Sequence, residues 1–119
     1  MLITTLYRAV SKFESNLPAG LSFAQYVVLS EIAAKESEVT ISSLRDRLGV
    51  NATMISRALK NLTVKGLAIA KYKDDNYRIL WLSVTEKGKK VLQDVPELLT
   101  SEESERLESL LMKLVDELG

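Results

Sequence analysis

The sequence predicts a mainly α-helical fold with one small β-hairpin near its middle. Along most of the chain, apolar residues recur at steps of three and four, which is the spacing of amphipathic helices. From residue 67 to residue 84 the apolar period changes to two, the spacing of half-buried strands. The length of 119 residues fits a single domain, assigned here to residues 1–119.

The N-terminal part of the chain predicts two helices. The first ends before Pro18, because proline and the following glycine interrupt its apolar stripe. The second begins at Ser22, which forms a capping-box pattern with Gln25. It fades in the polar run from Lys35 to Glu38, and a short extended piece follows at residues 39–41.

Two short helices come next, and their apolar residues predict that they pack together at a steep angle. The first spans about residues 42–48, and the second spans about residues 51–65, with Asn51 as its N-cap. Gly49 permits the tight turn between them, so the pair has the form of a helix-turn-helix. Gly66 stands where a helix commonly stops.

The region of period two predicts a β-hairpin directly after this pair. The polar run Asp74-Asp75-Asn76 divides it into two strands. The turn lacks the Asn-Gly signal of a two-residue connection, so a longer loop is expected. A hairpin in this place is a wing, at about residues 71–79, and the predicted fold is therefore a winged helix-turn-helix.

The C-terminal part predicts two more helices. Thr85 caps one that ends before Pro96, and Thr100 with Glu103 forms a capping box that opens the last one. A winged helix needs only about residues 21–90, so the end helices, in residues 1–17 and 91–119, extend beyond it. Their apolar stripes must be buried against each other or against a partner.

We expect a two-fold dimer, since it would place two equivalent helices about 34 Å apart, one turn of DNA. A monomer in which the two stripes pack together is the alternative. The predicted dimerisation residues are Leu6, Val10, Phe13, Leu107, Leu110, Leu111, Leu114 and Leu118.

The net charge of zero conceals a strongly basic middle. Between residues 40 and 90 eleven Lys and Arg residues face four Asp and Glu, a net charge of +7, and the rest carries −7. Such a segregation within one small domain is typical of a nucleic-acid surface, although ordinary solvated charge is the alternative.

The exposed side of the second helix of the motif suits the major groove of DNA. It offers hydroxyls for phosphates or base edges, a small apolar residue for a thymine methyl, and an arginine for guanine. Lysine and arginine in the wing would contact the backbone or the minor groove. The candidate DNA-binding residues are Asn51, Ala52, Thr53, Ser56, Arg57, Lys60, Lys71, Lys73 and Arg78. Tyr77 and Trp81 could stack on bases, but we expect them to pack on the outer face of the hairpin.

Composition argues against several other classes of protein. Cysteine and histidine are both absent, which removes disulfides, the commonest general base and the commonest zinc ligands. No paired carboxylates have the spacing of a metal site or a glycosidase. We therefore expect no enzyme, no metal and no cofactor. The sequence shows neither a membrane-spanning apolar run nor a signal-peptide pattern, so a cytoplasmic protein is expected.

The stretch from residue 21 to residue 88 resembles the MarR family of multidrug-resistance-type transcriptional regulators. The matching pieces are residues 21–29, 44–62, 65–67 and 82–88, in the family's order and spacing. The resemblance implies a homodimer with interlocking terminal helices that binds a pseudopalindromic operator on double-stranded DNA as a repressor or an activator.

By the same resemblance, residues 51–65 form the recognition helix and Arg78 works in the wing. Asn76 departs from the family pattern, which usually has Asp two residues before that arginine. The chain is also short for the family. The resemblance allows a small organic effector, although a cysteine-based oxidant sensor is excluded by composition.

A winged-helix module that binds another protein is the alternative function, because a fold alone does not determine function. Its mark would be an exposed apolar patch on the second helix of the motif. The sequence places polar and basic residues there, with Met54 as the exception.

Overall fold

The computed structural model describes residues 1–35, 38–73 and 76–119, without the side chains of residues 73, 76 and 77. Within them lie six α-helices and one two-stranded antiparallel sheet, which confirms the predicted mainly helical fold with a hairpin wing. In chain order the elements are α1 (Leu2–Ser15), a 3-10 turn (Pro18–Gly20), α2 (Phe23–Ala34), α3 (Ile41–Leu48), α4 (Ala52–Val64), β1 (Ala68–Lys73), β2 (Asn76–Val84), α5 (Glu86–Gln93) and α6 (Ser101–Leu118).

The helix-turn-helix formed by α3 and α4 is set by local capping. Thr40 and Ser43 cap α3 reciprocally, each side-chain oxygen accepting the other residue's backbone N–H at 3.1 and 2.9 Å. The helix therefore begins at Ile41, one residue before the predicted start. It ends at Gly49, whose φ of 66° lies in the left-handed region that favours glycine.

The end of α4 directs the chain into the wing. The backbone N–H of Gly66 donates to the Thr63 carbonyl at 3.0 Å, and that of Leu67 donates to Leu62 at 2.9 Å. With Gly66 at φ 75°, this is a Schellman motif, and it confirms the predicted stop. Because Leu67 is fully buried, β1 starts from a fixed point in the core.

One apolar core holds the winged unit together, and it lies between α2, α3, α4 and the hairpin. Its largest fully buried side chains are Leu29, Ile32, Leu44, Ile55, Leu62, Leu67, Val28 and Val39. Leu17 also joins this core, although it follows α1 instead of lying on it. Because α4 buries four residues of its inner face, its outer face is held rigidly toward solvent.

The two strands of the wing pair from Ala68 opposite Val84 to Tyr72 opposite Leu80, with an irregularity after Tyr72. The predicted extended piece before α3 is confirmed, because the Leu82 N–H donates to the Val39 carbonyl at 2.9 Å. This bridge ties the hairpin to the start of the helix-turn-helix. The predicted turn at Asp74 and Asp75 lies outside the described residues.

We expect Gly88→Ala to destabilise the protein by about 2 kcal/mol through overpacking. A Cβ at Gly88 would collide with the Leu67 carbonyl oxygen and lie 2.7 Å from Val84 Cγ1. That carbonyl accepts the Thr85 N–H at 3.0 Å, so it cannot move away without breaking a bond. Urea unfolding measures the effect.

The sign of this result is diagnostic, because alanine is a better helix former than glycine by about 1 kcal/mol in an open position. Lys90→Ala, at an exposed position of α5, is the matched control and should leave the midpoint nearly unchanged. A higher midpoint for Gly88→Ala would refute the close packing of α5 on the start of β1.

Candidate nucleic-acid interface

The outward face of α4 carries the predicted base-reading residues. Thr53, Ser56, Arg57 and Lys60 are all exposed, and their spacing of three, four and seven residues puts them on one side of the helix. Ala52 is half-buried at the first turn. No residue of α4 is acidic, so nothing on the helix itself repels phosphate.

Asn51 has a structural role beside its predicted DNA contact. Its Oδ1 accepts the backbone N–H of Met54 at 2.9 Å and so caps α4. The side-chain amide nitrogen is a separate donor, which an acceptor on DNA can use. The N-terminal end of a helix also carries a partial positive charge, which favours a nearby phosphate.

The wing places further basic residues beside the motif. Lys71 is exposed and lies opposite Trp81, so both side chains are on the outer face of the hairpin. Trp81 is half-buried there, as expected for a residue that packs on this face. Arg78 is exposed on β2. The side chains of Lys73 and Tyr77, and the predicted relation of Asn76 to Arg78, lie outside the described residues.

Several basic residues of the middle segment have internal partners. The Arg47 guanidinium forms an ion pair with Glu31 of α2, which fastens α3 to α2. The Lys65 ammonium donates to two backbone carbonyls of the 3-10 turn, and that of Lys87 donates to the Lys65 carbonyl at 3.1 Å. The ion pair therefore offsets the charge of Arg47, whereas Lys65 and Lys87 keep their charges but direct their ammonium groups to the backbone.

Arg45 is a candidate that the sequence prediction omitted. It is exposed on α3, the first helix of the motif, which crosses the DNA backbone when a helix-turn-helix docks. The sequence signal that could have found it is its spacing of three residues from Ser42, since this spacing puts two polar residues on the same exposed face of α3.

The C-terminal helix carries its predicted apolar stripe into solvent. Every residue of α6 is exposed in the single chain, with Leu110 at 63% and Leu118 at 88%. Its N-terminus is nonetheless well defined by a capping box, in which Glu103 Oε1 accepts the Thr100 N–H at 2.9 Å and Thr100 Oγ1 accepts the Glu103 N–H at 3.1 Å. The hydrogen bonds to Thr100 also lower the pKa of Glu103. A stable, uncovered apolar helix is what a partner surface requires.

The N-terminal helix is covered only near its end. Leu6 is 40% exposed, whereas Val10 and Phe13 are half-buried. The Phe13 ring packs edge-to-face on Phe23 and Tyr26 of the same chain, at centroid distances of 5.9 and 5.4 Å. Phe13 therefore helps to join α1 to α2, beside any contact with a second chain. The stripes of α1 and α6 do not cover each other within one protomer.

An open cleft of about 710 Å³ lies where α1, α2 and the connection between α5 and α6 meet. Its walls combine apolar and aromatic side chains, such as Phe13, Tyr26 and Leu92, with polar and acidic ones, such as Ser101 and Glu105. Such walls suit small organic molecules.

The described residues contain neither a metal-binding cluster nor a helix that could span a membrane. No three side chains of the metal-binding types are grouped there as an ion would require. No helix in the same residues combines the length and apolar composition needed to cross a membrane.

Two features define this chain as a winged helix-turn-helix protein. The second helix of its helix-turn-helix, α4, has a buried inner face and a polar, basic outer face, and a β-hairpin follows it directly. A protein-family model described as MarR family matches residues 19–74, which run from the 3-10 turn through α4 and β1. The helix-turn-helix and the first strand of the wing therefore match the MarR family, and the fold around them is that of a winged helix-turn-helix protein.

Solved structures share this architecture over nearly the whole chain. A MarR-family regulator from Listeria monocytogenes, solved with a 26mer DNA, is 26% identical, with a TM-score of 0.75 over 98% of this chain and 85% of its own. The regulator BldR from Sulfolobus solfataricus is 25% identical, with a TM-score of 0.74 over 97% and 91% of the two chains.

A third structure shows the likeness of fold at lower identity. The S. aureus MepR–DNA complex is 18% identical, with a TM-score of 0.80 over 99% of this chain and 95% of its own. No curated protein matches the sequence.

Proposed function

We propose that this chain is a transcription regulator that binds double-stranded DNA as a homodimer at a pseudopalindromic operator and acts there as a repressor. The observation that carries the proposal is the outward face of α4, which is polar, basic and held by a fully buried inner face. The match to the MarR family model supports it, as do two structures of the same fold that were solved with DNA.

In this proposal α4 enters the major groove. Arg57 pairs with the O6 and N7 atoms of a guanine, and Thr53 and Ser56 contact neighbouring base edges or phosphates. Lys60, farther along the same face, neutralises a phosphate. Lys71, Lys73 and Arg78 of the wing lie along the backbone or enter the adjacent minor groove.

The homodimer follows from the uncovered end helices. The stripes of α1 and α6 bury each other across a two-fold axis, because each protomer alone leaves them in solvent. A two-fold dimer can present its two copies of α4 to successive major grooves on one face of DNA, which requires a separation of about 34 Å.

The proposed protein acts in the cytoplasm, without a catalytic role, a cofactor or a membrane partner. A small organic effector would occupy the cleft between α1, α2 and the connection from α5 to α6. Its aromatic walls, Phe13 and Tyr26, support this placement, since a ligand there would touch both the dimer helices and the winged unit.

A salt series tests DNA binding directly. We expect a fluorescently labelled random duplex to bind, with the logarithm of affinity falling linearly with log salt by about 0.9 per neutralised phosphate. Lys60→Met should reduce that slope by about two contacts, one from each protomer of the dimer. Lys113→Met, an exposed position on the acidic helix α6, is the matched control and should leave the slope unchanged. Fluorescence anisotropy measures both.

Absence of binding even at low salt would contradict the proposal and favour the protein-interaction module. The structure gives that alternative little support, since Met54 is half-buried and packed against the core. Val64, 80% exposed at the end of α4, is a single apolar side chain and not a patch.

A further inference from the structure

Two lysines join the end of the recognition helix to both connections that lead to the dimer helices. Lys65 is the C-cap of α4, and its Nζ lies 3.1 Å from the carbonyl oxygens of both Ala19 and Gly20. These carbonyls belong to the 3-10 turn between α1 and α2. One ammonium has three donors, so it can bind both carbonyls at once.

The turn that receives Lys65 has an unusual backbone. Ala19 and Gly20 have φ values of 57° and 64°, both in the left-handed region. Glycine adopts that region freely, but alanine does so at a cost in free energy. Two charge-assisted hydrogen bonds from one ammonium are strong enough to help offset that cost. Lys65 therefore helps to stabilise the conformation of the turn.

The connection from β2 to α5 is also bonded to the C-terminal end of α4. The Lys87 Nζ, at the start of α5, donates to the Lys65 carbonyl at 3.1 Å. The Thr85 hydroxyl donates to the neighbouring Gly66 carbonyl at 2.7 Å. Since α5 leads to α6, the end of α4 is held between the segment arriving from α1 and the segment leaving for α6. We call Lys65 and Lys87 the lysine bridge.

We propose that the lysine bridge positions the recognition helices within the dimer, and that it thereby sets the half-site spacing that the dimer accepts. This inference rests on the proposed function, because spacing has meaning only for a DNA-binding dimer. Lys65 acts here as a positioning residue, with its ammonium bound to backbone instead of DNA.

A small rotation at the bridge produces a large displacement of the residues that would contact DNA. With 13 residues, α4 is about 20 Å long, and the bridge lies at its C-terminal end. Because α4 is packed in the core, it turns together with the winged unit. A rotation of that unit by roughly 10° about the bridge moves the N-terminal end of α4 by roughly 3.5 Å, about one base-pair step of 3.4 Å. Thr53 and Ser56 lie near that end.

We expect the fold to survive loss of the ammonium, because other contacts also hold the junction of α1 and α2. The junction of α1 and α2 is also held by Phe13 against Phe23 and Tyr26. In addition, the Phe23 N–H donates to a Glu14 carboxylate oxygen at 2.6 Å. Lys65→Met keeps the apolar stem and removes only the charged donor, and Lys60→Met, exposed on the same helix, is the matched control.

The first experiment measures geometry without DNA. The chain has no cysteine, so Ser11→Cys on α1 and Asn61→Cys on α4, both exposed, accept nitroxide labels specifically. Pulsed electron paramagnetic resonance, with labelled protein diluted into unlabelled protein, gives the distance distribution within one protomer. We expect Lys65→Met to broaden that distribution about two-fold relative to Lys60→Met. Equal widths for the two variants overturn the proposal.

The second experiment measures spacing on duplexes whose half-sites, found by selection from random DNA, are separated by different numbers of base pairs. We expect Lys65→Met to bind neighbouring separations nearly equally, with its affinity for random duplex unchanged. Lys60→Met should weaken all separations alike. An unchanged spacing preference in Lys65→Met overturns the proposal while DNA binding stands. A wild-type chain that binds no duplex refutes the proposed function, and the proposed role in spacing falls with it.

Discussion

Replacing Leu110 and Leu114 together by glutamate is expected to separate the dimer and to lower operator affinity by about 100-fold or more. Two linked binding sites gain avidity by a factor of about 10² to 10⁴ over one site, and a monomer loses that gain. The two leucines are 63% and 44% exposed in the single chain and lie one turn apart on α6. Glutamates there would be buried without partners at the dimer interface.

Sedimentation equilibrium gives the oligomeric state, and anisotropy with an operator duplex gives the affinity. The matched control is Ser109→Glu with Lys113→Glu, two exposed positions on the opposite face of α6, which should leave a dimer. Both variants should keep the thermal unfolding transition of the winged unit, since α6 buries none of its residues in its own protomer. A dimer that survives Leu110→Glu with Leu114→Glu would exclude this stripe as the interface.

Arg57→Ala is expected to relax sequence specificity at one base position, with a loss of about 1–3 kcal/mol for the preferred operator. Arginine binds guanine through two parallel hydrogen bonds to O6 and N7, and alanine makes neither. Arg57 is exposed near the middle of the outward face of α4, where a groove floor would meet the helix. Arg57→Lys should recover affinity but not specificity, since lysine lacks the planar fork.

Competition with operators substituted one position at a time distinguishes base reading from phosphate contact. For Arg57→Ala the discrimination should vanish at a single position and remain elsewhere. Lys60→Ala is the control, and it should weaken all sequences equally and reduce the salt slope. A uniform loss in Arg57→Ala as well would make Arg57 a phosphate clamp, and the base-reading role would then pass to Thr53 and Ser56.

Helix boundaries were largely predictable because their signals are local. Asn51 caps α4 and Gly66 ends it, through hydrogen bonds to residues no more than three positions away. The predicted start of α3 was one residue too late. Thr40 is the N-cap, with an extended backbone and a side chain that caps the helix, so the first helical residue is Ile41. The outward face of α4 was equally predictable, since the period of its apolar residues leaves only one side for solvent.

By itself, then, the sequence determined the order of helices and hairpin, the polar outward face of α4 and the apolar stripes of α1 and α6. Tertiary structure decided which charges remain for DNA. Arg47, Lys65 and Arg57 are equally basic in the sequence. In the fold, Arg47 pairs with Glu31, Lys65 binds carbonyls about 45 residues away in the chain, and Arg57 is exposed on the outward face of α4. It also turned Phe13 toward α2. The physical reason is that capping and periodicity depend on neighbours in the chain, whereas the partner of a long side chain depends on which distant backbone the fold brings within reach.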